Sequence, residues 1–522
     1  MQKSLLLFLT LILLFYQGVM GQADTVSSVD SINKLPPVIK GKVIDVNTHQ
    51  PLSYANIYVL HKNKGTISNE NGEFLLETHE LSITDTVSFR FVGYYTKNYP
   101  LNQPDTMITV ALKEEVFSLN EFVVYANTPD ARDIVRKIVE NLDINYPDTP
   151  SKKQLFIRQR FDTELLKKQL QYKKSSIPDF DKAMIRRLEN NIPKHTISYS
   201  DLLGDFYFSA SPEDTAKMKV NPLRTVALKD KSLAKMDEII RLFESNLKNT
   251  SEGEYWKVKS GIIGQKLDLK NLENDSSEAQ KDSLKENTMK VKYLKRRIHY
   301  YLQYSTLKDD VSWEFLYKTR KYHYWIIGGT KVNGEEVYII DFEPDGSGLY
   351  RGRMFVTAKT FALIKADYEY AQGRTGTDFN LLGVGYTEDL FKGSIYFEKE
   401  DGHYHLKYFS KKEGATMMFD RNLALIKKKE RFLFDKTLQE LKLGVRMDIK
   451  SEQLVEFLVL NDTEISHQDF LDFQEPETGK IIYVDKFDDT LWKGYSIIEP
   501  TQKMREYRKQ TGVQELGLKN EQ

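Results

Sequence analysis

The segment 322–370 alternates apolar and polar residues in a way that predicts two consecutive antiparallel β-hairpins. Its last arm places Ile364, Ala366 and Tyr368 between charged residues, and a period of two is typical of a strand with one buried and one solvent-facing side. Asn333-Gly334 separates the first two arms, and both residues accept positive φ, so the pair favours a tight turn. We predict an antiparallel meander over residues 311–435.

Short alternating segments also fill residues 41–125. Val87, Phe89 and Phe91 are separated by polar residues, and similar triplets precede and follow them. Short strands at this spacing, interrupted by turn signals such as Asn71-Gly72, are typical of a β-sandwich. The pattern therefore predicts an N-terminal sandwich.

Several motifs of this segment resemble the carboxypeptidase-regulatory-like (peptidase-associated) domain. The motifs that carry the resemblance are Gly41 with Val43 and Asp45, Pro51-Leu52, Ala55-Asn56-Ile57, Gly65-Thr66, Asn71-Gly72-Glu73-Phe74, Phe91-Val92-Gly93-Tyr94 and the exit Leu119 to Tyr125. The resemblance implies an immunoglobulin-like or transthyretin-like β-sandwich without catalytic residues.

Residues 126–310 combine helical patterns with a strand-like run at 154–163. Thr128-Pro129-Asp130 predicts a helix start with Thr128 as N-cap, and the apolar stripe that follows predicts a helix to about Asn145. Apolar residues at spacings of three and four between Leu233 and Leu247 predict a second helix. Residues 271–288 are charged and are interpreted as a solvated helix or a flexible insertion. Residues 436–522 are assigned to a C-terminal extension.

The helix, the insertion and the aromatic meander together resemble the half-barrel fold of periplasmic lipoprotein carriers. The segments 334–340 and 359–364 carry this second resemblance. It implies a mainly β or α+β protein, in which a large antiparallel half-barrel sheet with helical insertions follows the sandwich and encloses a lipid-sized cavity. The candidate cavity residues are apolar or aromatic, with a filled core as the alternative for each: Tyr324, Ile326, Tyr338, Ile340, Ile364, Ala366 and Tyr368.

The first 21 residues have a lysine, an apolar run and small residues before a cleavage position, which is the pattern of a secretory signal peptide. Residues 22–40 are polar and are predicted to be a linker. We therefore expect an exported protein in the periplasm or on the periplasmic face of the outer membrane, with secretion as an alternative. After signal removal we expect no transmembrane segment. The absence of cysteine excludes disulfides and thiol chemistry.

Composition and motifs argue against several classes of function. Equal numbers of basic and acidic residues, 75 each, give no net field to recruit nucleic acid. No metalloprotease, nucleophile-elbow, P-loop or dinucleotide motif is present. His403 and His405 share a strand face without an acid pair, and Asp341 to Gly346 imitates a calcium loop but has Gly352 where a bidentate Glu is required. We predict no catalytic residue, no metal and no cofactor.

The leading hypothesis is a non-enzymatic envelope protein with a binding or scaffolding role, which holds a lipid or acyl ligand or contacts an outer-membrane protein. A glycan-binding or adhesion module is the first alternative, with Trp313, Trp325 or Trp492 as an exposed stacking platform. A hydrolase built around Asp341 and Glu343 is the second alternative.

Overall fold

A computed structural model describes most of the chain. The described residues are 35–62, 64–102, 107–117, 129–211, 213–214, 217–228, 247, 250–261, 263–266, 287–495 and 497–507. The predicted signal peptide, most of the linker, the Leu119–Tyr125 exit, most of the helix predicted at 233–247 and nearly all of the 271–288 insertion lie outside these ranges. Strands account for 54% and helices for 14% of the structure, which confirms a mainly β fold.

The N-terminal unit is a sandwich of two small sheets. Its strands are β1 (Val38–Asp45), β2 (Asn56–Val59), β3 (Gly65–Ile67), β4 (Glu73–Glu77), β5 (Thr86–Arg90), β6 (Lys97–Pro100) and β7 (Met107–Leu112). One sheet has the order β4-β1-β7 and the other β3-β2-β5-β6. Alternate residues such as Ile57, Val87 and Phe89 point into a shared core and are almost fully buried, as a period of two requires.

The remaining strands join one large sheet. They are β8 (Ser151–Ser175), β9 (His195–Phe208), β10 (Met218–Leu228), β11 (Glu254–Ser260), β12 (Ile263–Lys266), β13 (Thr288–Lys290), β14 (Tyr322–Val332), β15 (Glu335–Pro344), β16 (Tyr350–Thr357), β17 (Leu363–Tyr370), β18 (Asp378–Leu381), β19 (Val384–Glu400), β20 (His403–Lys429), β21 (Lys436–Glu464) and β22 (Thr478–Val484). Their order is β13-β22-β10-β9-β8-β21-β20-β19-β17-β16-β15-β14, with β11 and β12 beside β20 and β18 beside β19.

The meander forms through the turns that its sequence favours. Asn333 and Gly334 have φ values of 52° and 82°, and Asp401 and Gly402 have values of 48° and 89°. Two consecutive residues with positive φ match the twist of antiparallel strands, so both turns close tight hairpins. The sheet nevertheless extends beyond residues 311–435, because β21 pairs with β20 on one side and with β8 on the other.

Helices pack on both faces of the large sheet. They are α1 (Ala131–Glu140), α2 (Leu142–Asn145), α3 (Lys182–Asn191), α4 (Val291–Gln303), α5 (Glu314–Tyr317), α6 (His467–Asp472) and α7 (Gln502–Arg505), with 3-10 turns at Thr319–Lys321 and Asp489–Trp492. The N-cap of α1 is Asp130, whose carboxylate accepts hydrogen bonds from the backbone N–H groups of Arg132 and Asp133. The prediction of Thr128 as N-cap was therefore wrong, because the acidic residue one step before the first helical turn provides the cap.

The sandwich docks on the face of the large sheet opposite α1 and α4. Tyr54 stacks on Tyr408 with ring centroids 4.2 Å apart, and the Arg160 Nη1 atom lies 2.6 Å from the Glu70 Oε1 atom. Backbone hydrogen bonds between Phe117 and Gly329 add a strand-like bridge. Both faces of the sheet are therefore covered near its centre.

Candidate functional site

A cavity of about 380 Å³ lies between the large sheet and the helices α2 and α4. Strands β8, β9, β10, β19, β20 and β21 form its floor, and α2, α4 and the loop after α4 form its wall. The apolar lining residues are Leu142, Tyr146, Leu155, Phe208, Met218, Leu302, Leu307, Phe397, Tyr404, Leu406, Phe457 and Val459. Most of these side chains are buried, so the interior of the cavity is mainly hydrocarbon.

The floor strands are apolar on both faces at this point. Leu155 pairs with Val459 across β8 and β21, and both belong to the core on the helix side. The intervening Phe156 and Leu458 point to the other face and belong to the core under the sandwich and the C-terminal segment. Burial on both sides explains why the sequence here runs continuously apolar instead of alternating.

Polar and charged groups line the rest of the cavity. The Lys308 Nζ atom lies 2.7 Å from the Asp148 Oδ2 atom and 2.9 Å from the Asp143 Oδ1 atom. Lys153 forms an ion pair with Asp462, and the His405 Nδ1 atom lies 3.3 Å from the Asp462 Oδ2 atom. Burial alone would raise the pKa of Asp462, but the hydrogen bonds from His405 and Lys153 outweigh it and lower that pKa.

Tyr146 forms a fixed wall of the cavity. Its ring lies 4.9 Å from the Phe397 ring and 6.0 Å from the Tyr404 ring, and its hydroxyl donates a 2.7 Å hydrogen bond to the Leu363 carbonyl. Burial raises the pKa of Tyr146 far above its usual value, so the phenol is neutral. The wall therefore adds no charge.

The seven residues predicted from sequence lie elsewhere. Tyr324, Tyr338, Ile340, Ile364, Ala366 and Tyr368 are buried in the main core, and Ile326 packs against it partly buried. None of them lines the 380 Å³ cavity. The reason is local filling: the Phe315 ring of α5 stacks on Phe342 at 4.4 Å, and Trp313 packs on Tyr368 at 5.2 Å. The cavity lies over another part of the sheet, formed by β8, β20 and β21 among other strands.

The sequence contained one signal for the residues that line this cavity. Residues 155–157 and 457–460 are uninterrupted apolar runs, which are typical of strands buried on both faces. The pattern predicts a strand at 154–163, but it does not predict that this strand pairs with residues 436–464, so it does not bring the two runs together.

A second, larger cleft of about 890 Å³ lies on the opposite face, between the sandwich and β14–β20. Its lining combines the aromatic residues Tyr54, Phe91 and Trp325 with rows of charged residues. Trp325 is 36% exposed, whereas Trp256, Trp313 and Trp492 are buried. Of the three tryptophans considered as stacking platforms, the structure thus exposes only Trp325.

The charged residues of this cleft occur as cross-strand pairs. Arg353 binds both carboxylate oxygens of Asp341, at 2.6 and 2.9 Å. Glu369 lies 2.6 Å from Arg351 and 2.9 Å from Lys392. Burial alone would raise the pKa of Glu369, but Lys392 and Arg351 outweigh it and lower that pKa. Glu369 therefore remains ionised, which is unsuited to a general acid.

Of the two histidines considered as metal ligands, His405 lines the 380 Å³ cavity and His403 does not. His403 Nδ1 lies 3.1 Å from the Ile144 carbonyl oxygen, whereas His405 contacts Asp462. Throughout the described ranges, no group of three His, Cys, Asp or Glu side chains is arranged to hold a metal ion. The described helices include none that is both long and apolar enough to cross a bilayer.

Comparison with known structures gives matches of low similarity. A LolA superfamily protein from Nitrosomonas europaea is 10% identical, covering 66% of this chain and 99% of its own, with a TM-score of 0.18. The MucA/MucB complex of Pseudomonas aeruginosa is 8% identical, covering 62% of this chain and 93% of its own, with a TM-score of 0.17. A DUF1329 family protein from Desulfovibrio piger is 12% identical, covering 66% of this chain and 98% of its own, with a TM-score of 0.19. TM-scores this low do not establish a shared fold.

No curated protein sequence matches the chain. The family model of the CarboxypepD_reg-like domain matches residues 39–124, which confirms the family predicted for residues 41–125. The matched segment contains both small sheets of the sandwich and ends before α1. Residues 39–124 are therefore a CarboxypepD_reg-like domain, and it is docked on the large sheet formed by the rest of the chain.

Proposed function

We propose that this protein is a non-enzymatic binding protein of the bacterial envelope, which holds an amphipathic ligand with an acyl chain and an anionic head group. The observation that carries the proposal is the 380 Å³ cavity, whose lining is apolar inside and bears charged side chains at its edge. This volume falls in the range of about 300–1,000 Å³ that is usual for small-molecule pockets.

The charge of the lining supports an anionic head group. Lys153, Lys217 and Lys308 line the cavity together with two histidines, and Asp148 is the acidic residue of the lining. Lys153 is ion-paired with Asp462, and Lys308 with Asp143 and Asp148, so an anionic head group would share these cations with the carboxylates. An acyl chain would replace water along Leu155, Phe457 and Val459, and the burial of apolar surface would drive binding. The export pattern at the N-terminus and the CarboxypepD_reg-like domain support a location in the envelope.

Replacing Leu302 by glutamate is expected to weaken fatty-acid binding by about tenfold or more, which corresponds to about 1.4 kcal/mol. Leu302 lies on α4 and lines the cavity, half-buried. The new carboxylate would lose hydration inside an apolar lining and would repel an anionic ligand. The measurement is a fluorescence titration with a dansyl-labelled fatty acid.

The matched control is Leu471→Glu, because Leu471 is 44% exposed on helix α6 and lies outside the cavity. It should bind the probe as the native protein does. Absence of probe binding by the native protein, together with absence of lipid in its native mass spectrum after purification from its own envelope, would contradict the proposal.

The second cleft favours one further candidate function, the binding of a glycan. Trp325 is exposed beside planar polar groups of Asp341, Arg353 and Glu369. An aromatic face provides a stacking surface for an apolar sugar face, and paired carboxylates and guanidinium groups can hydrogen-bond to hydroxyls. The cleft also has balanced charge, which suits an uncharged ligand.

Trp325→Ala is expected to abolish measurable glycan binding, because the variant loses the only exposed indole among the four tryptophans while its strand pairing with Asp341 is kept. The measurement is binding to an array of bacterial-surface oligosaccharides. Trp325→Phe, which keeps an aromatic face, should retain part of the signal. A native protein that binds no glycan on the array would remove this candidate and leave the lipid proposal untouched.

A further inference from the structure

The hairpin that joins β20 to β21 ends in three exposed apolar side chains. The loop 430–435 has the sequence Glu-Arg-Phe-Leu-Phe-Asp. Phe432, Leu433 and Phe434 are 101%, 77% and 85% exposed. Three consecutive large apolar residues at a loop tip form a patch of the kind that marks an interaction site.

The fold itself does not require these residues. The loop is described throughout, and no residue in it has a positive φ, so its backbone would accept the polar residues that usually occupy loop tips. The nearest core contains Trp256, Leu441 and Val445, and it includes none of the three tip residues. These three apolar side chains can therefore contact a partner without a change in the core.

The flanks of the tip are basic. Between positions 427 and 436 there are five basic and two acidic side chains. Both acidic residues are engaged: Glu430 pairs with Lys266 at 2.9 Å, and Asp435 accepts a hydrogen bond from the Tyr255 hydroxyl. Lys429, Arg431 and Lys436 are exposed. The tip thus presents apolar side chains surrounded by positive charge.

Neighbouring strands pair with the ribbon that carries this tip on both of its sides. Residues 254–260 of β11 pair with residues 423–429 of β20, and β21 pairs with β20 on the other side. Lys427 and Glu254 form an ion pair of 2.9 Å across β20 and β11. A pre-ordered tip loses little conformational freedom when it binds.

We propose that residues 428–436 dock on an anionic lipid bilayer, with Phe432, Leu433 and Phe434 in the interfacial region and the basic side chains against the head groups. Burial of aromatic and apolar side chains provides one part of the affinity, and each nearby basic residue adds an electrostatic part. A tip-to-tip contact with a second copy is disfavoured, because it would bring two basic tips together.

Docking through the tip does not involve the residues of the proposed ligand cavity. Leu406 in the cavity and Lys429 beside the tip lie on the same strand, separated by about 75 Å of extended chain. A protein attached through the tip would therefore keep its cavity away from the membrane surface.

The test is co-flotation of the full-length protein with vesicles of phosphatidylglycerol and phosphatidylethanolamine, and with vesicles of phosphatidylcholine. The native protein should bind the anionic vesicles more strongly, and added salt should weaken that binding. The variant F432S/L433S/F434S should bind them about tenfold or more weakly. The matched control L381S/L382S, at residues that are 67% and 63% exposed on another hairpin, should bind as the native protein does.

A charge variant separates the two contributions. K428Q/K429Q/R431Q should lose the preference for anionic vesicles and most of the salt dependence, but keep the weak binding to phosphatidylcholine. Unchanged binding by the triple serine variant, or no vesicle binding by the native protein, would overturn the proposal. Concentration-dependent dimerisation that depends on the tip, seen by sedimentation without vesicle binding, would assign the surface to a second copy instead.

Discussion

Arg158→Met is expected to destabilise the protein by about 3–5 kcal/mol, the usual cost of breaking a buried ion pair from one side. Arg158 is 4% exposed, and its Nε and Nη2 atoms lie 2.9 and 2.7 Å from the two carboxylate oxygens of Asp201. Its Nη1 atom donates a 2.8 Å hydrogen bond to the Ile498 carbonyl. The substitution leaves the Asp201 charge buried without its cation. The measurement is the urea midpoint of the full-length chain.

The control for this prediction is Arg136→Met. Arg136 and Asp133 are ion-paired on the exposed side of α1, with exposures of 52% and 57%, and such pairs contribute about 0–1 kcal/mol. The double variant Arg158→Met/Asp201→Leu should recover part of the loss, because it removes the unpaired charge. Equal costs for Arg158→Met and Arg136→Met would contradict the assignment of a structural role to the buried pair.

Glu456→Gln is expected to remove a pH dependence of stability worth about 3 kcal/mol. Burial raises the pKa of Glu456 from 4.5 to about 7, against the opposing effect of Arg158 and Arg160 and with a further rise from Glu70 and Asp201. The folded protein therefore keeps this proton between about pH 4.5 and 7, where the unfolded chain loses it. Stability falls as the pH rises through that window and levels off above it.

The measurement is the urea midpoint of native protein and variant at pH 5, 6, 7 and 8. The difference between them should favour the variant increasingly up to about pH 7. Glu452→Gln is the matched control on the same strand, since burial would raise the pKa of Glu452 but Lys412 and Lys450 outweigh it and lower that pKa. A constant difference for Glu456→Gln across all four pH values would show that the carboxyl does not titrate in this range.

These two side chains lie under the docked sandwich. In the strand register, Arg158 of β8 lies opposite Asp201 of β9 on one side and opposite Glu456 of β21 on the other. The adjacent Arg160 reaches Glu70 of the sandwich. Charge changes in this cluster therefore affect the contact between the sandwich and the sheet as well as the sheet itself.

The local pattern determined the elements that depend on neighbouring residues. The short alternating strands and turn signals of residues 41–125 predict a sandwich, and its motifs resemble the CarboxypepD_reg-like domain. Asn333-Gly334 and the alternation up to Tyr370 predict the meander. The turn and the side-chain period set the pairing of a hairpin, and both depend only on residues that are close together in the sequence.

The cavity could not be located in that way. Its floor needs β8, from residues 151–175, to lie beside β21, from residues 436–464, and its wall needs α4 over both. The side chains predicted as lining, such as Tyr338 and Ile340, have the same apolar character as the residues that line the 380 Å³ cavity, but Trp313 and Phe315 fill the space above that part of the sheet.

The sequence by itself therefore determined the sandwich, the hairpins and the apolar character of the strands. The tertiary structure alone decided which apolar face is filled and which remains open, where the sandwich docks, and which charges are buried beneath it. The physical reason is that apolar residues are favoured both where a side chain is buried in a filled core and where it lines an apolar cavity. Only the packing of distant segments distinguishes them.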